Sequence, residues 1–121
     1  MITGKNIIGF ATSGEGTEVL RAYDPVSNTA LPETFAVATT AEVNQAVDKA
    51  IAAFKEYRLS SPEDKAVFLE TIATEILALG DTLLERAVAE SGLPLGRITG
   101  ERMRTVSQLR LFAGILREGS W

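Results

Sequence analysis

Residues 90–114 read ESGLPLGRITGERMRTVSQLRLFAG, a punctuated joint followed by a long helix-compatible run. Gly92 and Pro94 stop the helix before them, because Gly takes the left-handed turn freely and Pro cannot continue a helix. After Pro94 the apolar residues return at helical spacing. Ile98, Val106, Leu109, Phe112, Ala113 and Leu116 fall on one side. Leu111 and Ile115 fall on another, with Arg97, Glu101, Arg104 and Gln108 along the same stripe. Apolar residues on two faces predict a helix sandwiched between neighbours rather than lying on a surface.

Working back from this helix, the chain reads as helical from Thr39 onward. Thr39 and Glu42 fit a capping box. The helix they open carries Val43, Ala46, Val47, Ala50, Phe54 and Tyr57 on one side. A second helix is expected from Ser61, with Pro62 at its first position and Glu63 and Asp64 near its positive end. Its apolar stripe is Phe68, Leu69, Ile72, Ile76 and Leu79, and Gly80 ends it. Asp81 is the expected cap of a third helix through Leu84, Ala87 and Val88. Short joints predict that sequential helices are near-antiparallel neighbours.

The first third has a different texture. Asn6 to Phe10 is a short apolar run, Ser13-Gly14-Glu15-Gly16 a turn, and Thr17 to Tyr23 a loose alternation that could pair with the first run. Asp24-Pro25-Val26-Ser27-Asn28 is a second turn, and Phe35 to Ala38 a third short strand. The resulting division is residues 1–38 as short strands and turns, and 39–121 as a helical layer.

Bulk properties narrow the chemistry. A chain of 121 residues is one domain at most. It is 45% apolar and 23% charged, an ordinary globular composition. Its net charge of −4 gives nucleic acid no positive footprint. With no Cys and no His, the chain has no thiol nucleophile, no disulfide and no zinc-type ligand set, so no metal site is assigned. No apolar run reaches the length of a membrane span, and the N-terminus lacks a signal-peptide layout. A soluble, cytoplasmic protein that does not engage membranes is expected.

The Gly-rich piece Ser13 to Gly16 lacks the third Gly of a dinucleotide loop and the Lys-Ser/Thr of a Walker loop, so it reads as a turn. Glu42, Glu63, Asp64 and Asp81 have capping explanations, while Glu70, Glu75, Glu85 and Glu90 read as solvated. The arginines Arg97, Arg102, Arg104, Arg110 and Arg117 stand out. Glu101 can pair with Arg97 at i,i+4 spacing or with Arg104 at i,i+3.

Several stretches together resemble the NAD(P)-dependent aldehyde dehydrogenase superfamily. Glu90-Ser91-Gly92 with Pro94 is similar to its Glu-Thr/Ser-Gly-Lys-Pro joint, with Leu93 in place of the usual Lys. Asp24 to Asn28 is similar to its Asn-Pro-Ala-Thr-Gly turn. Gly100-Glu101-Arg102, Arg104-Thr105, Gln108 to Ala113, Arg117 to Trp121 and Met1 to Asn6 resemble the subgroup of 2-ketoglutarate semialdehyde (2,5-dioxovalerate) dehydrogenases.

The resemblance implies an α/β parent fold. Within it, this mostly α-helical segment supplies short strands and the helical layer of the N-terminal part of the cofactor-binding domain, without the catalytic domain. It implies oxidation of a semialdehyde by thiolate attack, hydride transfer to NAD or NADP, and hydrolysis with a Glu-activated water. Those groups lie beyond Trp121 in the family. No catalytic or cofactor-binding residue is therefore assigned here, and the segment alone is expected to be inactive and to bind no cofactor. The family analogy places one side of the last helix along the substrate tunnel, with Gly100 and Arg104 on that side. Arg104 suits a substrate carboxylate because its planar fork can bind both oxygens.

Implied partners are the remainder of an aldehyde dehydrogenase chain and further subunits in a homodimer or homotetramer. An ending on Trp121 one step past a helix is expected of a chain that continues. The alternative reading is a small helical protein-interaction module without catalysis. DNA beyond the Trp121 codon separates the two: the first predicts a Gly-containing strand-turn-helix and later a Cys, the second a stop codon.

Overall fold

A computed structural model describes residues 2–120, so the expectation attached to Trp121 lies outside the described residues. Strands occupy the chain up to Ala36 and helices begin at Thr40. The chain divides into two compact units, Met1–Leu59 and Ser60–Trp121.

The first unit holds two antiparallel hairpins and a helix. Strand β1 (Asn6–Ile8) pairs with β2 (Ala11–Ser13), and β3 (Val19–Asp24) pairs with β4 (Thr29–Ala36). The expected hairpin between Asn6–Phe10 and Thr17–Tyr23 does not form. Each strand instead takes the neighbour across the shorter turn, where closing the loop costs least entropy. The last strand is also longer than expected, starting at Thr29. Its register slips between Arg21, opposite Thr34, and Tyr23, opposite Ala30. Pro32 lies in the slipped stretch, where a residue without an N–H is tolerated.

The Asp24–Asn28 turn closes the second hairpin as its composition predicts. Asp24 Oδ2 accepts the Ser27 hydroxyl at 2.7 Å and Oδ1 accepts the Val26 N–H at 2.8 Å. These bonds, the hydroxyl foremost, hold the Asp24 carboxyl below the usual carboxylate range.

Helix α1 (Thr40–Tyr57) opens with the predicted capping box. The Thr39 hydroxyl accepts the Glu42 N–H at 3.2 Å, and Glu42 Oε2 accepts the Thr39 N–H at 2.8 Å. Glu42 does more than cap. Its Oε1 also accepts the Ser13 hydroxyl and, at 3.2 Å, the Glu15 N–H. It is only 2% exposed, so the carboxylate is wrapped by donors from the turn as well as the helix. Those donors, led by Ser13, lower its pKa to about 2. Gly16 is required beside this knot, since a Cβ there would stand 2.0 Å from the Val37 carbonyl oxygen. The predicted apolar side of α1 is not a core here: Val43, Val47 and Phe54 are half-exposed or more. Against the strands the helix sets the long side chain of Lys49, whose Nζ donates to the Ile8 carbonyl at 3.2 Å.

The second unit is three helices. In α2 (Pro62–Ala78), Ser61 and Asp64 form a full capping box, so Asp64 does more than place a charge near the positive end. Helix α3 (Gly80–Ser91) follows almost without a break. Asp81 is not its cap. Leu79 occupies that place in helical conformation with no side-chain bond, because the chain passes from one helix to the next too directly to need one. Gly92, at φ 67°, ends α3 as predicted, and Pro94 opens α4 (Leu95–Glu118).

Helix α4 packs chiefly on α2 and secondarily on α3, so the main neighbour is two elements back rather than the preceding one. The fully buried residues are Ala66 and Ala73 on α2, and Val106 and Ala113 on α4. Each pair is separated by two helical turns, and the small side chains let the axes approach closely. Of the expected stripe on α2, Leu69, Ile72 and Ile76 are partly buried while Phe68 and Leu79 are more than half exposed, and Ala66 and Ala73, which the stripe left out, are the most buried residues of the helix. On α4, Leu111 and Phe112 are 55% exposed and Ile115 39%, so packing on α2 and α3 leaves them only partly covered.

Arg117 ties the end of α4 to the start of α2, which makes the two helices antiparallel. Its Nε and Nη2 donate to the two oxygens of Glu63 at 2.9 and 3.0 Å, and Nη1 and Nη2 to those of Glu70 at 2.6 and 2.8 Å. Glu63 and Glu70 are therefore ion-pair partners rather than a helix-end charge and a solvated one. The Arg117 bonds hold both carboxyls below the usual range. Glu90, also expected to be solvated, pairs with Arg86 one turn before it. Near the other end of α4, Arg102 Nη1 donates to the Gly80 carbonyl at 2.9 Å, pinning the α2–α3 joint.

Two outcomes are expected of stability measurements. Glu42 has a lowered folded pKa, so its contribution is complete above an ordinary glutamate's 4.5 and is lost as pH falls through about 2. Glu42→Gln should lower the melting temperature at neutral pH, and the gap from wild type should close between those two pH values. A gap independent of pH would show that the charge is not what Ser13 and Glu15 hold. In urea unfolding, Ala113→Leu should destabilise by about 1–3 kcal/mol through overpacking. Gly114→Ala, at a helical position where a Cβ meets nothing within 4 Å, should stabilise by roughly 0.5–1 kcal/mol.

Candidate functional site

The packing of α4 decides which of its residues are free for chemistry. At 3.6 residues per turn, Arg104 and Gln108 fall on the side roughly opposite Val106 and Ala113. The residues that seat α4 on α2 thus leave these two polar side chains pointing away from the core. Gly100, Arg104, Gln108 and Phe112 succeed one another at i,i+4 spacing, each one turn from the last.

A groove of about 390 Å³ runs along this part of α4, lined by Arg104, Thr105, Gln108, Leu109 and Phe112. Arg104 is the one cation on it, and its side chain is 76% exposed. Its Nε and Nη2 reach Glu101 Oε2 at 2.9 and 2.7 Å. Of the two partners foreseen for Glu101, it is therefore Arg104 that engages it. The Thr105 hydroxyl donates back to the Glu101 carbonyl at 3.1 Å, so its proton is committed. Gly100 sits one turn before Arg104 and is exposed. A Cβ there would meet nothing within 4 Å, so the space beside it is open.

Two further arginines of α4, Arg117 and Arg102, have structural duties. Arg117 is engaged by Glu63 and Glu70, and Arg102 by the Gly80 carbonyl. A second hollow of similar volume lies among Ile76, Leu79, Leu83, Leu84 and Ile98. Its walls are greasy, and its charged rim residues Glu101 and Arg102 are already engaged. It offers a ligand little to orient on.

The Gly-rich turn Ser13 to Gly16 gives its Ser13 hydroxyl and Glu15 N–H to the Glu42 carboxylate. A phosphate would meet an anion there, with the donors already spent. Among the described residues there is no cluster of three or more His, Cys, Asp or Glu able to hold a metal ion. Nor is any helix among them long and apolar enough to cross a membrane. With no Cys in the chain, there is no thiol nucleophile either. What the α4 face can do is bind: one guanidinium recognises an anion, and an amide and an aromatic ring lie beyond it.

Reading the sequence brought out Gly100 and Arg104 but passed over Gln108 and Phe112 as site residues. Gln108 appeared as one more polar position and Phe112 as part of the apolar side. The available signal was their i,i+4 continuation of the Gly100–Arg104 row.

Comparison with known proteins bears on the same stretch. The aldehyde dehydrogenase family matches over residues 11–120, nearly the whole chain and all of α4. "Alpha-ketoglutaric semialdehyde dehydrogenase 2" of Azospirillum brasilense is 47% identical over 119 residues, covering 98% of this chain. "Alpha-ketoglutaric semialdehyde dehydrogenase" of Acinetobacter baylyi is 46% identical over 87 residues, covering 72% of it. The chain spans only 23% of the first relative's length and 16% of the second's. Identity at this level, sustained from the strands into the last helix, makes these 121 residues a member of the aldehyde dehydrogenase family, whose enzymes use NAD(P) and are generally oligomeric.

Proposed function

We propose that the chain is the N-terminal part of an enzyme that oxidises 2-ketoglutarate semialdehyde (2,5-dioxopentanoate) to 2-ketoglutarate with NAD or NADP. In it, residues 39–121 supply the helical layer of the cofactor-binding domain. The observation that carries this reading is the 47% identity to a relative named for that semialdehyde, extending over 98% of the chain. The exposed Arg104 on a groove supports it, because the substrate bears a carboxylate and a guanidinium fork complements one.

In this reading Gly100 and Arg104 face the substrate tunnel. Gly100 leaves room by having no side chain, and Arg104 draws the carboxylate end of the aldehyde into place. The cofactor supplies hydride acceptance when bound, from residues outside those present here. The apolar face of α1 and the Leu111–Ile115 side of α4 are the surfaces that the rest of the polypeptide covers. Half-exposed Val43, Val47, Leu111 and Ile115 are what such contacts would bury. The complete protein is a cytoplasmic homodimer or homotetramer.

Two experiments test the proposal. In the full-length enzyme, Arg104→Ala should raise KM for carboxylate-bearing aldehydes about tenfold or more, the scale of a lost charge-assisted bond, and leave neutral aldehydes nearly unchanged. Equal changes for both would remove Arg104 from substrate binding. The isolated 121-residue polypeptide, incubated with aldehyde and NAD(P)+, should form no NAD(P)H, since it has no Cys to act as nucleophile. Turnover by that polypeptide would defeat the assignment of the chemistry to other parts of the enzyme.

A further inference from the structure

We infer that Gln108 is a specificity-determining residue that donates its carboxamide N–H to the 2-oxo oxygen of a 2-oxo acid, while Arg104 holds the adjacent carboxylate. This rests on the proposed role of Arg104 and extends it from any carboxylate to one class of carboxylate.

The argument begins with which donors the groove has left. Its polar lining residues are Arg104, Thr105 and Gln108. Thr105 has given its proton to the Glu101 carbonyl. Arg104 has five N–H donors in a planar fork. Glu101 occupies the edge formed by Nε and Nη2, which leaves the outer edge, Nη1 with the second Nη2 proton, for a ligand. Two parallel N–H groups on that edge match the two oxygens of one carboxylate. Glu101 is thus a positioning residue: it fixes the plane of the fork and selects the edge that is offered. Gln108 is exposed and makes no hydrogen bond among the described residues, so both its amide protons are available.

The spacing then suits a 2-oxo acid. Residues four apart on a helix stand about 5–6 Å apart at Cβ. From there, Arg104 and Gln108 can converge on two neighbouring functional groups of one small molecule. A carboxylate bonded directly to a ketone presents such a pair, an anionic acceptor for the guanidinium and a neutral acceptor for the amide. A dicarboxylate would ask for two cations, and this groove has one. One turn beyond Gln108, the ring of Phe112 is 55% exposed and supplies an apolar wall for the methylenes that follow the ketone. The acid is thus held by Arg104 and the neighbouring ketone by Gln108, with Phe112 on the apolar side of the same groove.

The test compares three aldehydes in the full-length enzyme: 2,5-dioxopentanoate, 5-oxopentanoate, which lacks the ketone, and pentanal, which lacks both groups. Gln108→Leu should lower the kcat/KM ratio of the first to the second about fivefold, the scale of one neutral hydrogen bond. It should leave the ratio of the second to the third unchanged. Gln108→Asn, which keeps the amide with a shorter reach, should give an intermediate first ratio. An unchanged first ratio, or an equal fall for all three aldehydes, overturns the role of Gln108. Arg104→Ala is read on the ratio of the second aldehyde to the third. A failure of the Arg104 reading thus appears in a different comparison from a failure of this one. Melting temperatures of the variants close to wild type confirm that the ratios report binding, as expected for side chains outside the core.

Discussion

The close approach of α2 and α4 is the contact on which the second unit depends. Ala66 and Ala73 on one helix and Val106 and Ala113 on the other are its fully buried residues. Small residues two turns apart on both helices allow a close approach, and the Arg117 pairs with Glu63 and Glu70 mark the antiparallel direction. Once α4 is seated this way, its remaining faces are no longer equivalent. One side is shared with α3, and Arg104 and Gln108 are turned outward. The groove is a consequence of where the alanines are.

Electrostatic pairing reinforces the same geometry at both ends of the helix. Arg117 grips Glu63 and Glu70 near the start of α2, and Arg102 holds the Gly80 carbonyl at the α2–α3 joint. Partly exposed ion pairs contribute modestly to stability, but a guanidinium shared by two carboxylates limits how far one helix can slide along the other. The first unit shows the complementary case of a buried anion. Glu42 is stabilised by an N-cap and by donors from the Gly-rich turn Ser13 to Gly16. Its carboxylate consumes the donors that a phosphate would need.

The arginines show how a single residue type divides by environment. Five of them lie on one helix, and of these Arg97 and Arg104 have a carboxylate, Glu101, at helical pairing distance. Arg117 and Arg102 are occupied by groups 54, 47 and 22 residues away, distances at which sequence spacing carries no signal. Arg104 keeps a local partner and an open edge, and this combination makes it available to a ligand. The groove that adds Gln108 and Phe112 to it depends on how the helix is rotated against α2.

Local information was legible in the sequence wherever the physics is local. The capping box at Thr39 and Glu42, the start at Ser61–Pro62, the stop at Gly92 and the turn at Asp24–Asn28 involve neighbours within a few residues, and all form as their residues predict. Residue identity along the chain also carried the family resemblance. The tertiary structure alone decided which strands pair, that α4 lies on α2 rather than only on α3, that Ala66 and Ala73 are buried while Phe68 and Leu79 at the edges of the expected stripe are not, and that Glu70 and Glu42 are engaged rather than solvated or merely capping. Each of those depends on contacts between residues far apart in sequence. Periodicity shows that a helix has an apolar side, but the partner's shape determines which part of that side is buried.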